Sequence, residues 1–227
     1  MKIRFCRVLA ALLFLEQGNS FSQGSFVNLD FEHPATSLPS GGGAVLATNA
    51  VPGWTPYVYG IPSDSLIYNG LSLGAASVSL HGPGSHQPII QGSYTVYLQA
   101  STAGTPGSAA IGQVGQIPLG TRSLIFWGFF GQNNVSFNGQ ILPLIVTATT
   151  PNYNIYGADV SAFAGQSGEL LFNSPPGFFE ALDNIQFSSQ PIPEPSTLAF
   201  CAVGGLCLFL KRKGAKRLES GKPHDRN

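Results

Sequence analysis

The side chains able to do chemistry in this 227-residue chain are few, and most stand apart from one another. The densest polar cluster is His81-Gly82-Pro83-Gly84-Ser85-His86, and a serine beside an imidazole is the pairing used in nucleophilic catalysis. Gly84-Ser85-His86 lacks the Gly-x-Ser-x-Gly elbow, and Pro83 with Gly84 describes a loose loop rather than a rigid mount. The two histidines do not have the four-residue spacing of a helical metal pair, and no cysteine or close acid supports them. They are expected to be solvent-facing loop residues. Asp30, Glu32, Glu180 and Asp183 could furnish the two carboxyl groups of a glycoside hydrolase, with Asp30 and Glu32 on one side of a strand. Gly41-Gly42-Gly43 precedes neither Lys-Ser/Thr nor a helix, so no phosphate cradle is read there.

The elements that must position these groups are short strands. Segments 25–31, 54–59, 76–80, 94–100, 109–114, 123–130, 134–137, 141–147, 169–172 and 181–187 carry β-branched and aromatic residues, separated by Gly, Pro, Asn and Ser clusters. Such spacing predicts a β-sandwich or barrel, with no convincing helix in the body. Leu124-Ile125-Phe126-Trp127-Gly128-Phe129-Phe130 is apolar on both faces and suits a central strand. Phe137-Asn138-Gly139-Gln140 is the strongest hairpin signal, because Asn-Gly accepts the positive φ angles of a type I′ turn. The stretch 37–43 reads as a flexible loop too short to divide domains.

The two ends differ from this body. Lys2, Arg4 and Arg7 precede the apolar run Val8 to Leu15, and Ser20-Phe21-Ser22 offers small residues ahead of a cut, so residues 1–22 form a secretory signal peptide. A single N-terminal membrane anchor is the alternative. At the other end, the uncharged apolar run 198–210 is followed by Lys211-Arg212-Lys213, the arrangement of a stop-transfer helix with its cations on the cytoplasmic side. Its 13 residues fall short of the about 20 needed to span a bilayer. Snorkelling of Lys211 and entry of Ser196 and Thr197 into the helix narrow the gap. The remaining body, residues 23–190, is large enough for one domain with its own core.

Over the whole chain 11 basic and 11 acidic residues cancel, but the body keeps only Arg122 against seven acids, a net charge of −6. A nucleic-acid partner is therefore not expected. Cys6 lies in the signal and Cys201 and Cys207 in the apolar run, which leaves the body without a disulfide, a thiolate metal site or a thiol nucleophile.

Pro193-Glu194-Pro195-Ser196, the apolar run and the basic cluster, in that order, resemble the PEP-CTERM sorting tail of Gram-negative bacteria. The resemblance implies export by the Sec machinery and a transient inner-membrane anchor with the body outside. Processing by the membrane protease exosortase near Pro193 to Ser196 and delivery to the outer envelope or extracellular matrix would follow. Residues 191–213 would be the sorting signal and 214–227 a basic and polar cytoplasmic tail. The continuation Leu218 to Asn227 departs from the family pattern.

A second resemblance concerns the body. Phe26-Val27-Asn28-Leu29-Asp30-Phe31-Glu32, Pro52-Gly53-Trp54-Thr55 and Leu182-Asp183-Asn184-Ile185-Gln186-Phe187 look like the first, second and last strands of jelly-roll carbohydrate-binding modules. Asp159 to Gln166 followed by Glu169-Leu170-Leu171-Phe172 looks like the turn into a late strand of such folds. The fold expected is thus an all-β jelly-roll sandwich. The resemblance implies a structural Ca2+ held by Glu32 and Asp183, completed by backbone carbonyls and water. It also implies a glycan, such as an exopolysaccharide, bound on aromatic platforms. Tyr57 and Tyr59, on one side of an extended segment, are the preferred platform, with Trp54 and Trp127 as further candidates. The expected function is a non-catalytic surface or matrix protein with a structural, adhesive or glycan-binding role. A purely structural protein without a glycan site and a secreted glycan hydrolase are the alternatives.

Overall fold

The computed structural model describes residues 25–101, 106–129 and 134–192. Among the described residues fourteen strands follow one another: β1 (Gly43–Leu46), β2 (Thr55–Val58), β3 (Ile61–Pro62), β4 (Ser65–Tyr68), β5 (Ser77–His81), β6 (Thr95–Gln99), β7 (Ala109–Gln116), β8 (Ser123–Phe129), β9 (Asn134–Phe137), β10 (Gln140–Ile141), β11 (Ile145–Thr149), β12 (Asn154–Asp159), β13 (Ser167–Ser174) and β14 (Phe179–Ser188). One helical turn, α1 (Ala47–Ala50), and a 3-10 turn at Ser161–Phe163 interrupt them. An eight-stranded sheet in the order β1-β4-β5-β6-β14-β8-β12-β11 packs on a six-stranded sheet in the order β10-β9-β13-β7-β2-β3. The fold is the all-β sandwich that the strand spacing predicts. All pairings are antiparallel except β4 with β5.

Alternation decides which residues meet between the sheets. Val78 and Leu80 of β5, Val96 and Leu98 of β6, Leu124 and Phe126 of β8, and Leu182 of β14 face Ile111 of β7, Leu170 and Phe172 of β13, and Val135 and Phe137 of β9 in one buried cluster. β8 lies between β14 and β12, the central place its two apolar faces predict. Asn138 and Gly139 both take positive φ, 49° and 76°, between Phe137 and its partner Gln140, as the hairpin signal requires.

Segment 25–31 is not a strand. Asn28 and Phe31 adopt left-handed φ of 50° and 59°, which breaks an extended ladder. A side chain replaces the ladder instead: the Gln113 amide accepts from Val27 N at 2.6 Å and donates to Val27 O at 2.9 Å. Phe26, Leu29 and Phe31 remain buried, and Trp54 lies among them, its indole N–H donating to Asn28 O at 2.9 Å and its ring 5.3 Å from that of Phe31. Phe26 in turn stacks on Phe187 and lies directly over Gly115, where an added Cβ would sit 2.6 Å from a ring carbon.

The expected signal peptide and C-terminal helix lie outside the described residues, and among the described residues no helix is long and apolar enough to cross a membrane. The contact at Gly115 makes a prediction. Gly115→Ala should force Phe26 off its stack and cost about 1–3 kcal/mol, read as a lower urea midpoint with an unchanged m-value.

Candidate functional site

The groups of interest gather on the outer face of the eight-stranded sheet, the side turned away from the six-stranded one. Two features put them there. Ordinary alternation after core-facing Leu182 turns Asp183 outward, and a register break in β14 between Asp183 and Gln186, with Asn184 at φ 48°, returns Ile185 and Phe187 to the core. The connection from β5 to β6, residues 82–94, then folds back over that face. It is held by Tyr97, whose hydroxyl donates to Pro88 O at 2.6 Å, and by Thr95 Oγ1, which accepts from Ile90 N at 2.9 Å.

The end of this connection clamps both carboxylates singled out as calcium ligands. Glu32 accepts from Ser93 N at 2.8 and 3.0 Å and from Tyr94 N at 2.9 Å. Asp183 accepts from Gln91 N at 3.1 Å, from the Thr95 hydroxyl at 2.8 Å and from Asn184 N at 2.7 Å. Two residues 151 positions apart in the chain thus share the five-residue segment from Gln91 to Thr95. Asp183 is fully buried, and burial pushes its carboxyl up to about 8; the three hydrogen bonds oppose the rise and the nearby Glu32 charge adds to it. The donor set is chemically suited to a hard cation. The Glu32 charge acts on Asp183, and Gln91, whose backbone N–H donates to Asp183, has an amide oxygen that is buried without a hydrogen-bond partner. Among the described residues no group of three His, Cys, Asp or Glu side chains forms a metal cluster, so further ligands would have to be amide, backbone or water oxygens.

His81 departs from expectation. It is 2% exposed, not a solvent-facing loop residue, because it closes β5 on the covered outer face. Ser85 Oγ lies 2.7 Å from Nδ1, Ser79 Oγ 3.1 Å from Nε2, and the ring meets Tyr97 edge-on at 4.6 Å. Burial lowers its pKa to about 4, which makes it a weak base. The orienting partner is a serine, without the charge that stabilises an imidazolium in a Ser-His-Asp triad. His86 is exposed, and His33 is exposed 3.9 Å from Asp30.

The four aromatic candidates are scattered. Trp54 belongs to the core, 4% exposed. Tyr57 lies on the outer face of the six-stranded sheet, and its hydroxyl donates to Glu169 Oε1 at 2.6 Å; that hydrogen bond, followed by burial and the Glu169 charge, raises its pKa to about 12. Tyr59 does not continue the strand. At φ 56° beside Gly60 at φ 75° it forms the turn into β3, and its ring lies over Gly107, just before β7. The shared platform expected of Tyr57 and Tyr59 is therefore not formed, because the turn breaks the alternation that would have aligned them. Trp127 is half-buried on the outer face of the eight-stranded sheet, stacked on Tyr153 at 5.0 Å and paired in register with Asp183.

No family model and no curated protein matches the chain. Among solved structures it is similar to the apo form of a cyclase from Fischerella sp., at 14% identity and a TM-score of 0.45, over 78% of this chain and 98% of that one. It is similar also to the Stig cyclase Fisc from Fischerella sp. TAU, at 15% identity and a TM-score of 0.43, over 77% of this chain and all of that one. A third likeness is to the enzymatically active domain of tailspike protein 4 from bacteriophage CBA120, at 18% identity and a TM-score of 0.36. These neighbours are enzymes, and the expectation that the body is a non-catalytic surface protein is withdrawn. A sandwich without a serine elbow or a thiol is no argument against catalysis. At this distance the likeness carries over neither a reaction nor a residue.

The ionisation of Asp183 has a measurable consequence. With its folded pKa raised above the ordinary carboxylate value, the folded state keeps a proton that the unfolded chain releases between about pH 4 and pH 8. Its contribution is greatest at acid pH and is lost as pH rises through that window. In chelator, the melting temperature should fall by about 5 °C or more between pH 5 and pH 8.5, and Asp183→Asn should flatten that slope.

Proposed function

We propose that the chain is an exported envelope protein whose β-sandwich is displayed outside the inner membrane by a PEP-CTERM-type tail, with the Sec machinery and exosortase as its processing partners. The order of the residues carries this reading: the body is followed by Pro193-Glu194-Pro195, the uncharged run 198–210 and Lys211-Arg212-Lys213. Ser123 Oγ donates to Gln190 O at 2.7 Å, and Ile192 is seated on Gly157, where an added Cβ would lie 2.7 Å from its Cδ1. The next residue in the chain is Pro193, the first of Pro193-Glu194-Pro195.

The test is the mass of the mature C-terminus on protein recovered from the cell surface. Wild type should end near Pro195, and Glu194→Ala should retain the tail. A full tail on wild-type surface protein would sink the reading.

Within the body, we propose that Glu32, Asp183 and the Gln91 amide oxygen hold a structural Ca2+, a cation that would offset the cost of burying the Asp183 carboxylate. Calcium should raise the melting temperature at pH 8 by about 5 °C or more, and Asp183→Asn should abolish the gain. Calorimetry without a calcium heat, and a melting temperature indifferent to chelator, would refute it.

A further inference from the structure

The last described residues lie over β8 and β12 and leave a groove open beside them. Ser123 Oγ, on β8, holds Gln190 O, and Ile192 rests on Gly157 of β12, which has no Cβ to keep it off. The groove has a volume of about 460 Å³. Its lining is apolar at Pro143, Ile145, Pro191 and Ile192 and charged at Arg122 and Asp159.

The two charges are not spent on each other. Asp159 Oδ1 accepts from Ser161 N at 2.8 Å. The Ser161 donors, and after them the Arg122 charge, hold the Asp159 carboxyl below the ordinary range against an opposing effect of burial. Among the described residues Arg122 makes no ion pair. Its backbone is fixed from both sides, the N–H donating to Ser188 O at 2.8 Å and the carbonyl accepting from Val160 N at 3.0 Å. The guanidinium is thereby tethered at the groove without a partner of opposite charge.

The order of residues supplies that partner. Arg122 is the only Lys or Arg in residues 25–192, and Glu194 is the only charged residue in 193–210. Glu194 follows Ile192 by two positions, a span of at most about 7 Å. Pro193 and Pro195 hold the residues before them, Ile192 and Glu194, to extended backbone, so little freedom is left to lose when the segment lies down. Elsewhere the body presents acids, a net charge of −6 over residues 23–190, which repel a carboxylate.

We propose that residues 193–196 dock in this groove, with the Glu194 carboxylate paired to the Arg122 guanidinium and the prolines on its apolar lining. Docked, the Pro-Glu-Pro motif is covered on one side by the sandwich, and a protein that reads it must first displace Arg122. The contact is within one chain and needs no processing enzyme, so it stands or falls apart from the sorting reading.

The experiment is carbodiimide coupling of the purified full chain carrying Arg122→Lys, in detergent. The substitution keeps the charge and makes residue 122 the only side-chain amine in residues 25–192. The reagent joins an amine to a carboxylate in contact with it, with loss of one water. Peptide mass spectrometry should find residue 122 joined to Glu194 at least about fivefold more than to Asp159, and at least about threefold less in about 0.5 M salt. A mixture of isotope-labelled and unlabelled chains separates coupling within one copy from coupling between two. In the unsubstituted chain, NMR should show Glu194 titrating at least about 0.5 pH units below its value in Arg122→Gln, because a nearby cation favours the carboxylate. Coupling of residue 122 to Asp159 alone, to Glu194 of another copy alone or to no carboxylate would overturn the docking. A Glu194 titration that Arg122→Gln leaves unchanged would overturn it equally.

Discussion

The position of β14 constrains everything else in this molecule. It is the last strand of the body, yet it lies in the middle of the larger sheet between β6 and β8. The two halves of that sheet are joined through it. Its register break is the pivot. Before the break, Leu182 faces the core; after it, Ile185 and Phe187 do, and Ile185 N donates to Leu29 O to hold the first described segment against the sheet. A strand with strict alternation could not bury Leu182 and Ile185 on one side and still turn Asp183 to the other.

That outward turn creates an electrostatic problem, and the connection 82–94 answers it. A carboxylate with no exposure needs donors, and the connection supplies Gln91 N to Asp183 and the N–H groups of Ser93 and Tyr94 to Glu32. In covering the carboxylates it also covers His81 and Tyr97, so the outer face here is a second, smaller interior rather than a solvated surface. Tyr97, Phe129 and Ala181 form its apolar part, with Ile90, Tyr153 and Phe179 packed alongside. The face therefore has two regions of different character. Around Asp183 it is closed and polar; towards Gln99 and Phe178 it opens into a cleft whose described lining is uncharged.

Much of the architecture was legible in the residues because it rests on local rules. Asn138-Gly139 specifies its turn through φ alone, and Leu124 to Phe129 announces a central strand through apolarity on both faces. Glu32 and Asp183 share one clamp, although nothing local relates positions 151 apart. Other readings failed where a tertiary contact outweighed a propensity. Segment 25–31 has strand composition, but the Gln113 side chain takes the hydrogen bonds that a neighbouring strand would have made. Tyr57 and Tyr59 have the spacing of one strand face, but Tyr59 with Gly60 forms the turn. His81 lies beside a loop motif and reads as exposed, but the chain folds back over it.

By itself the sequence determined the class of the fold, the acidic, cysteine-free composition of residues 23–190, and the hairpin at Asn138-Gly139, because periodicity, composition and turn chemistry act over a few residues. Only the tertiary structure decided that Asp183 is buried and clamped, that the four candidate aromatic residues do not assemble, and that Gln99 Oε1 is buried without a hydrogen-bond partner. Burial and hydrogen-bond satisfaction are properties of what the rest of the chain places around a residue. They depend on segments as far apart as Glu32 and Asp183, which local sequence rules do not reach.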